Sequence, residues 1–168
     1  MERATDTSPT RRLRALVLDD DPAALSRARR AIEPRGFTVL SAGDGDAGLA
    51  LLIDELLDLD VLVVDLDLPG RDARSLAALV RGPGGERELA IVVLTAGSAA
   101  EVRAELVALG VDAVVERSAG GAALADAALA AVEARTPSSA AAPPLRSARR
   151  ARSDRWSSPF GALALLDA

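Results

Sequence analysis

The stretch VLVVDLDLPG, residues 61 to 70, decides the fold because it joins a buried strand to polar side chains. Its four leading apolar residues predict a strand that is covered on both faces. Asp65 and Asp67 follow, and an unpaired buried carboxylate costs several kcal/mol, a large share of a domain's stability. We therefore expect these carboxylates at the end of the strand, near solvent, where Pro69-Gly70 turns the chain.

The chain alternates short apolar runs with stretches of helical periodicity. Apolar residues that recur every three or four positions are typical of helices that pack on a sheet. In the second helix we expect Leu49, Leu52, Ile53 and Leu56 to face the sheet. The βα repeats predict an α/β fold, a doubly wound five-stranded parallel sheet. The predicted strands are residues 13–18, 37–40, 61–64, 89–94 and 111–115, and the predicted helices run from Asp21-Pro22, over 44–57, 71–81 and 98–109, and from Gly120-Gly121 to about Arg135.

A single domain with two appendages accounts for the 168 residues. We expect a disordered N-terminal arm over 1–11, one domain over 12–135, and a low-complexity, disordered tail over 136–168, since chains below ~40 residues seldom fold unaided. The arm lacks the apolar core of a secretory signal, and no apolar run approaches the ~20 residues that span a bilayer. These features predict a cytoplasmic protein without a membrane partner.

The tail allows two interpretations. Its stretch RSARRARSDRW, residues 146–156, combines arginines that could bind phosphates with Trp156 for stacking. Without a folded module such binding is weak and salt-sensitive, so we favour a solubilising tail and expect no nucleic-acid partner. The closing FGALALLDA, residues 160–168, is apolar enough to dock on a partner or on the domain, and the sequence leaves this open.

The composition limits the available chemistry. The chain has no cysteine and no histidine, its 20 basic residues are all arginine, and its net charge is −5. Disulfides, thiolate catalysis and cysteine-ligated metals are therefore excluded, and the commonest general base is missing. Carboxylates, hydroxyls and arginine must supply any reactivity.

Candidate site residues follow the first, third, fourth and fifth predicted strands, at the edge where such sheets bind their ligands. Carboxylates from neighbouring strands repel each other unless a cation intervenes. Oxygen ligands with room for water suit magnesium, which binds phosphate oxygens readily. The pattern therefore predicts a magnesium-dependent phosphoryl site. Its candidate residues, in strand order, are Asp19 and Asp20, Asp65, Thr95, and Glu116 with Arg117.

Each candidate also has an ordinary structural explanation. Aspartates at strand ends commonly form turns and helix caps, and Asp21 before Pro22 is such a cap. Thr95 alone would be a plain strand residue and Arg117 a solvated charge. Their joint placement at one sheet edge is what favours a site.

Together these residues resemble the receiver domain of two-component response regulators, over about residues 12–135. Asp19 and Asp20 are similar to the family's acid pair. Asp65 falls on its phosphoacceptor, and Pro69 fits the family's Asp-x-x-Met-Pro pattern, in which leucine here replaces methionine.

The resemblance extends to the last two strands. Thr95, thirty residues after the phosphoacceptor position and followed by alanine, matches the family's phosphoryl-binding hydroxyl. Gly110 matches the glycine that opens the last strand. Two further positions depart from the pattern, because Arg117 stands where the family has lysine and Val114 where it has an aromatic residue.

The resemblance implies a flavodoxin-like receiver fold and a single-domain response regulator. Asp65 would accept a phosphoryl group from the phosphohistidine of a sensor histidine kinase or phosphotransfer protein, and Thr95 and Arg117 would contact that group. The protein would catalyse only its own phosphorylation and dephosphorylation and would signal by contact with an unknown downstream protein. The implied Mg²⁺ ligands are Asp19, Asp20, Asp65 and the backbone carbonyl of Asp67.

Two other functions remain open. Arg117 and Val114 favour a pseudo-receiver, which is never phosphorylated and serves as a constitutive protein-interaction module, since guanidinium is not equivalent to ammonium at a tight site. Asp65-x-Asp67 also resembles phosphatases of the haloacid dehalogenase superfamily. In that superfamily the motif belongs to the first strand, and the lysine and late acidic pair that it requires are not visible here.

Overall fold

The computed structural model describes residues 11–83 and 88–136, which form five parallel strands and their intervening helices. The sheet order is β2-β1-β3-β4-β5, so the predicted doubly wound α/β fold is confirmed. The strands are β1 (Leu13–Leu18), β2 (Phe37–Ala42), β3 (Val61–Asp65), β4 (Ala90–Thr95) and β5 (Ala113–Glu116). The helices are α1 (Pro22–Ile32), α2 (Gly45–Glu55), α3 (Ala73–Arg81), α4 (Ala99–Ala108) and α5 (Gly120–Arg135), with short 3₁₀ turns at Glu33–Arg35 and Arg117–Ala119.

The predicted elements all occur, with small differences at their ends. β5 begins two residues later than expected, because the Val111 N–H still donates to the Leu106 carbonyl of α4 at 3.0 Å and the pairing with β4 starts only at Ala113. The predicted arm 1–11 and tail 136–168 lie outside the described residues except for Arg11 and Thr136. Arg11 donates to the Asp58 carbonyl at 2.7 Å. Within the described ranges, no helix combines the length and the apolar character that crossing a bilayer requires.

The core consists of two apolar layers, one on each face of the sheet. Successive strand residues point to opposite faces, so Leu62 and Val64 of β3 enter the layer under α2, α3 and α4, whereas Val61 and Val63 enter the layer under α1 and α5. All four are fully buried, as expected for a parallel strand that is covered on both faces.

One packing prediction for α2 is wrong. Leu52 is buried against the sheet and Leu49 and Leu56 pack partly against it, but Ile53 is 63% exposed. The face of α2 that meets the sheet is formed by Leu49, Leu52 and Leu56, and Ile53 lies about 100° around the helix from Leu52, on the side that solvent reaches.

Three helices begin at aspartate caps that satisfy backbone N–H groups. The carboxylate of Asp21 accepts from Ala23 N at 2.8 Å, that of Asp44 from Ala47 N at 2.8 Å, and that of Asp72 from the third residue of its helix. Each cap also fixes where the helix starts after its strand.

Helix α2 packs tightly against the segment that follows β3. Gly45 N donates to the Pro69 carbonyl at 3.0 Å, and a Cβ on Gly45 would overlap the backbone of Arg71. Gly48 lies so close to β1 that a Cβ there would stand 2.6 Å from Leu18. Gly45 thus lets α2 hold the loop after Asp65 in place, and Gly48 lets the helix approach β1.

Candidate functional site

The carboxyl ends of β1 and β3 bring three aspartates together. Parallel pairing sets Leu18 beside Val64, so Asp19 and Asp65, the next residue of each chain segment, reach the same edge. Asp19, Asp20 and Asp65 each offer a carboxylate oxygen, and these oxygens lie within 4.8 Å of one another. The convergence predicted from strand order is therefore present.

Asp65 is more buried than the sequence suggests. It is the last residue of β3 and only 7% exposed, so the expectation that it lies near solvent is wrong, whereas Asp67, two residues on, is exposed. A buried carboxylate is tolerated when a charged partner compensates it. Arg117, which follows β5, provides that partner.

The Arg117 guanidinium lies between two of the aspartates. Its Nη2 atom is 2.8 Å from Oδ2 of Asp19 and 2.8 Å from Oδ1 of Asp65. Burial disfavours its charge, but the contact with Asp65 and the charges of both carboxylates prevail and raise the pKa of Arg117 above its usual value. The guanidinium therefore stays charged and offsets part of the repulsion between the carboxylates.

Asp19 is incompletely satisfied. Its Oδ1 accepts from Asp21 N at 3.0 Å, but its buried Oδ2 accepts no hydrogen bond of acceptable angle, although Arg117 Nη2 is within ion-pair distance. Burial raises the pKa of Asp19, against the lowering effects of the Asp21 N–H and the Arg117 charge. A buried oxygen with spare acceptor capacity is a feature that a cation would satisfy.

The acidic group fits a magnesium ion by its donors. Three carboxylates, two of them buried and one, Asp20, exposed to water, offer oxygen ligands on one side and room for water on the other. Mg²⁺ prefers this combination and retains several of its waters. The predicted role of the Asp67 carbonyl stays a prediction.

Thr95 ends β4 at the same edge. It is 3% exposed, and its Oγ1 accepts from Gly97 N at 3.1 Å, so its hydroxyl is held by its own loop. Leu94 pairs with Asp65 in the register of β3 and β4, which sets Thr95 one residue beyond the acidic site. Its hydroxyl proton is free to be donated elsewhere because Oγ1 serves here as an acceptor.

Glu116 has a contact that the sequence did not reveal. Its Oε1 accepts from Ala99 N, the first residue of α4, at 2.9 Å. A cavity of about 130 Å³ extends from Asp19 and Arg117 to Glu116 and the glycines that open α5. The position of an acidic residue directly before Arg117 was visible in the sequence, but its partner on a distant helix was not.

Two curated proteins illustrate the sequence similarity. The chain is 34% identical over 110 residues to the sensor histidine kinase GacS of Pseudomonas protegens, a match that covers 64% of this chain and 12% of GacS. It is 36% identical over 84 residues to the response regulator MprA of Mycobacterium tuberculosis, covering 50% of this chain and 35% of MprA. The chain thus corresponds to a part, well under half, of each relative.

Solved structures share the fold over almost their full length. A response regulator receiver domain protein from Clostridium thermocellum superposes with a TM-score of 0.67 at 19% identity, covering 73% of this chain and 96% of that one. The receiver domain of RcsB from Salmonella enterica, determined with the phosphomimetic BeF₃⁻, gives 0.60 at 26% identity, covering 74% and 90%.

A family model adds the decisive comparison. The model of the response regulator receiver domain matches residues 15–129, from Ala15 in β1 to Leu129 in α5. The matched range contains the acidic group, Thr95 and Arg117, and the chain therefore belongs to the response regulator receiver domain family of two-component systems.

Proposed function

We propose that this receiver domain accepts a phosphoryl group on Asp65 from a phosphohistidine of a partner protein. The observation that carries the proposal is the placement of Asp65, a buried carboxylate at a strand end, within reach of Asp19, Asp20 and the Arg117 guanidinium. A structural ion pair needs one acid for one base, whereas here three acids lie together and two of them contact one arginine. Excess negative charge at a sheet's ligand-binding edge favours a cation-dependent phosphoryl site over a purely structural cluster.

Asp65 acts as the nucleophile. One of its carboxylate oxygens forms a P–O bond while the P–N bond to the partner's imidazole breaks, and the electron pair of that bond passes to the imidazole nitrogen. The product is an acyl phosphate on this chain and an unmodified histidine on the partner. Water can later attack the same phosphorus, which releases inorganic phosphate and restores Asp65.

Arg117 and Thr95 supply the contacts that stabilise the transferred group. Arg117 already lies 2.8 Å from Asp65, so its charge can follow the negative charge from the carboxylate to the phosphoryl oxygens. The Thr95 hydroxyl donates to a further oxygen when it turns away from Gly97 N. Thr95 is the last residue of β4 and Arg117 directly follows β5, so the sheet places both groups beside Asp65, and this lowers the cost of positioning them during transfer.

Asp19, Asp20 and Asp65 would hold the magnesium ion, with the Asp67 carbonyl as a further ligand. When bound, Mg²⁺ neutralises charge on the phosphoryl oxygens and orients them for transfer. The buried Oδ2 of Asp19 lies 2.8 Å from Arg117 Nη2 and retains acceptor capacity for the ion, which supports this assignment.

The donor is a sensor histidine kinase or a phosphotransfer protein, and the output is contact with another protein in the cytoplasm. The similarity to GacS and MprA supports a place in two-component signalling. The surface formed by α4, β5 and α5 adjoins both Thr95 and Arg117, so we assign the contact with the downstream protein to it.

A constitutive interaction module is the second candidate, and one observation favours it. Arg117 already bridges Asp19 and Asp65, so its guanidinium neutralises part of the negative charge that would otherwise bind a metal ion. A guanidinium held in this way could leave the fold complete without phosphorylation.

Intact mass after incubation with Mg²⁺ and acetyl phosphate distinguishes these functions. We expect a single phosphoryl adduct on the parent chain, its loss without Mg²⁺ and its absence in Asp65→Asn. Asp54→Asn is the matched control, because this exposed acid on α2 lies outside the acidic group and its loss should leave the adduct intact. In a phosphatase with Asp67 as its acid, Asp67→Asn would instead abolish turnover.

A short-lived adduct could escape detection by mass. NMR spectra with BeF₃⁻ and Mg²⁺ therefore accompany the measurement, since this mimic does not hydrolyse as an acyl phosphate does. Absence of both the adduct and any BeF₃⁻-induced change near Asp65 would contradict the proposal and leave the interaction module.

A further inference from the structure

Helix α4 is capped by a residue from another strand. Ser98, at the N-cap position, makes no capping hydrogen bond with its side chain. Ala99 N instead donates to Glu116 Oε1 at 2.9 Å, across a separation of 17 residues. The first N–H of α4 is thus satisfied by β5, whereas α1, α2 and α3 begin at aspartates of their own. The start of α4 consequently depends on the position of β5.

The strand register sets Glu116 directly beside Thr95. The two are paired residues at the ends of β4 and β5, and paired residues of parallel strands point to the same face. Two positions earlier, Val93 and Val114 both enter the apolar layer that Ala99 of α4 helps to cover. Thr95 and Glu116 therefore continue the two side-chain rows that lie under α4.

The loop between β4 and α4 is held at both ends by these two side chains. Thr95 Oγ1 accepts from Gly97 N at 3.1 Å, and Glu116 holds Ala99 two residues later. If Thr95 exchanges Gly97 N for another hydrogen-bond partner, the short loop from Thr95 to Ala99 must therefore move, and Glu116 ties the end of that loop to β5. Val114, buried under α4, has no polar group or ring that could exchange partners in response.

We propose that Glu116 is a positioning residue that couples the Thr95 loop to α4. When the Thr95 hydroxyl turns from Gly97 N to a phosphoryl group on Asp65, the loop moves and the hydrogen bond from Ala99 N to Glu116 opens. The first turn of α4 is then released from β5, and the surface that α4 and β5 share changes. This inference rests on the proposed function of Asp65.

Arg117 provides a second connection to the same residue. It follows Glu116 in the chain and contacts Asp65 through Nη2 at 2.8 Å. Movement of the guanidinium toward a phosphoryl group therefore displaces the backbone next to Glu116. Both contacts to the phosphoryl group thus lead to the Glu116–Ala99 hydrogen bond, one through the β4–α4 loop and the other through β5.

Hydrogen–deuterium exchange of the Ala99 amide, followed by NMR with and without BeF₃⁻ and Mg²⁺, tests the coupling on the full chain. In the parent, we expect this amide to be protected and to exchange roughly fivefold faster with BeF₃⁻, the effect of losing one ordinary hydrogen bond. Glu116→Ala should show the faster exchange in both conditions. Glu116→Gln keeps an acceptor oxygen and should behave as the parent does.

Glu101→Ala is the control for a loss of negative charge near α4. This residue lies in the first turn of α4 and is exposed, so its removal should leave the BeF₃⁻ response of Ala99 intact. If Glu116→Ala does not fold, adding Ser98→Asp supplies a local cap. We expect that double variant to keep α4 formed but to lose the BeF₃⁻ response, because the link to β5 is absent.

The outcomes separate this inference from the function on which it rests. Changes at the Asp65 amide together with an unaltered Ala99 exchange rate in the parent would overturn the coupling alone. So would a Glu116→Ala variant that retains the parent's response. A parent chain without an adduct and without any BeF₃⁻ effect near Asp65 would overturn both proposals.

Discussion

Arg117 Nη2 lies 2.8 Å from Asp19 Oδ2 and 2.8 Å from Asp65 Oδ1, so one guanidinium nitrogen serves carboxylates from two different strands. The same two carboxylates belong to the group that fits Mg²⁺. The Arg117 guanidinium and a bound Mg²⁺ would therefore compete for the same two carboxylates. Their competition makes the metal dependence of this domain sensitive to one side chain.

Replacing Arg117 by alanine should strengthen magnesium binding. Without the guanidinium, two buried carboxylates remain uncompensated, and we expect the metal-free domain to lose roughly 1–3 kcal/mol of stability. Saturating Mg²⁺ should then raise the Tm of Arg117→Ala by more than it raises that of the parent, because the ion stabilises the folded state through its affinity. Thermal unfolding at a series of Mg²⁺ concentrations measures both effects.

Arg30→Ala is the matched control for this loss of positive charge. Arg30 is exposed on α1, away from the acidic group, so its Mg²⁺-dependent Tm shift should equal that of the parent. Equal shifts in all three proteins would contradict the competition between Arg117 and the metal.

Gly45→Ala should weaken the packing between α2 and the loop after Asp65. The added Cβ would overlap the backbone of Arg71, and overpacking of this kind typically costs about 1–3 kcal/mol. Gly43→Ala provides the comparison, since no atom lies within 4 Å of the position that its Cβ would take, and its cost should stay within about 0.5 kcal/mol. Urea unfolding measures the free energy of unfolding of both variants. Equal values would contradict the prediction and show that the loop after Asp65 adjusts to the added Cβ.

The cap of α3 should make stability depend on pH. Hydrogen bonds from Ser75 lower the pKa of Asp72, so the folded state favours its carboxylate. The resulting stabilisation is present at neutral pH and is lost as the pH falls through the lowered folded-state pKa. The side chain is 39% exposed, so the charge-dependent part should amount to only a few tenths of a kcal/mol.

Asp72→Asn and Asp72→Ala separate charge from capping. Asparagine still caps the helix but does not titrate. The free energy of unfolding of Asp72→Asn should therefore be lower than that of the parent at pH 7, and the difference should disappear below about pH 4. Asp72→Ala should be less stable than Asp72→Asn by about 1 kcal/mol at every pH. Unfolding curves between pH 3 and pH 7 test this, and a deficit of Asp72→Asn that grows on acidification would reverse the assignment.

Much of the fold could be predicted because local signals agreed with the tertiary structure. The apolar runs became strands whose residues are buried on both faces, as in Val61–Asp65. Asp21-Pro22 marks the start of α1, and the cap forms through Ala23 N. The meeting of the aspartates also followed from strand order alone, because parallel strands end at one edge.

The remaining features depend on contacts between distant residues. Asp65 is buried because Arg117, 52 positions later, reaches it, and nothing around Asp65 in the sequence indicates that partner. The bond between Glu116 and Ala99 likewise depends on how β5 lies beside α4. Ile53 was misplaced because an all-apolar stretch does not show which of its residues faces the sheet.

Asp112 connects three elements at the edge of the sheet opposite the acidic site. Its Oδ2 accepts from Ile91 N at 2.8 Å and lies 3.1 Å from Arg81 Nη2, and its Oδ1 accepts from Arg135 Nε at 2.7 Å. The side chain is 16% exposed, so these charge-assisted bonds are poorly screened. Asp112→Asn removes the charge and turns one acceptor into a donor that faces an arginine.

We expect Asp112→Asn to cost about 2 kcal/mol, within the range for hydrogen bonds to a charged group, because solvent reaches part of these side chains. Asp54→Asn, an exposed acid on α2, should change the stability by no more than about 0.5 kcal/mol. Because Asp112 lies at the opposite edge from Asp65, the extent of phosphorylation by acetyl phosphate should match that of the parent at temperatures where both are folded. A reduced adduct on folded Asp112→Asn would show instead that the two edges of the sheet are coupled.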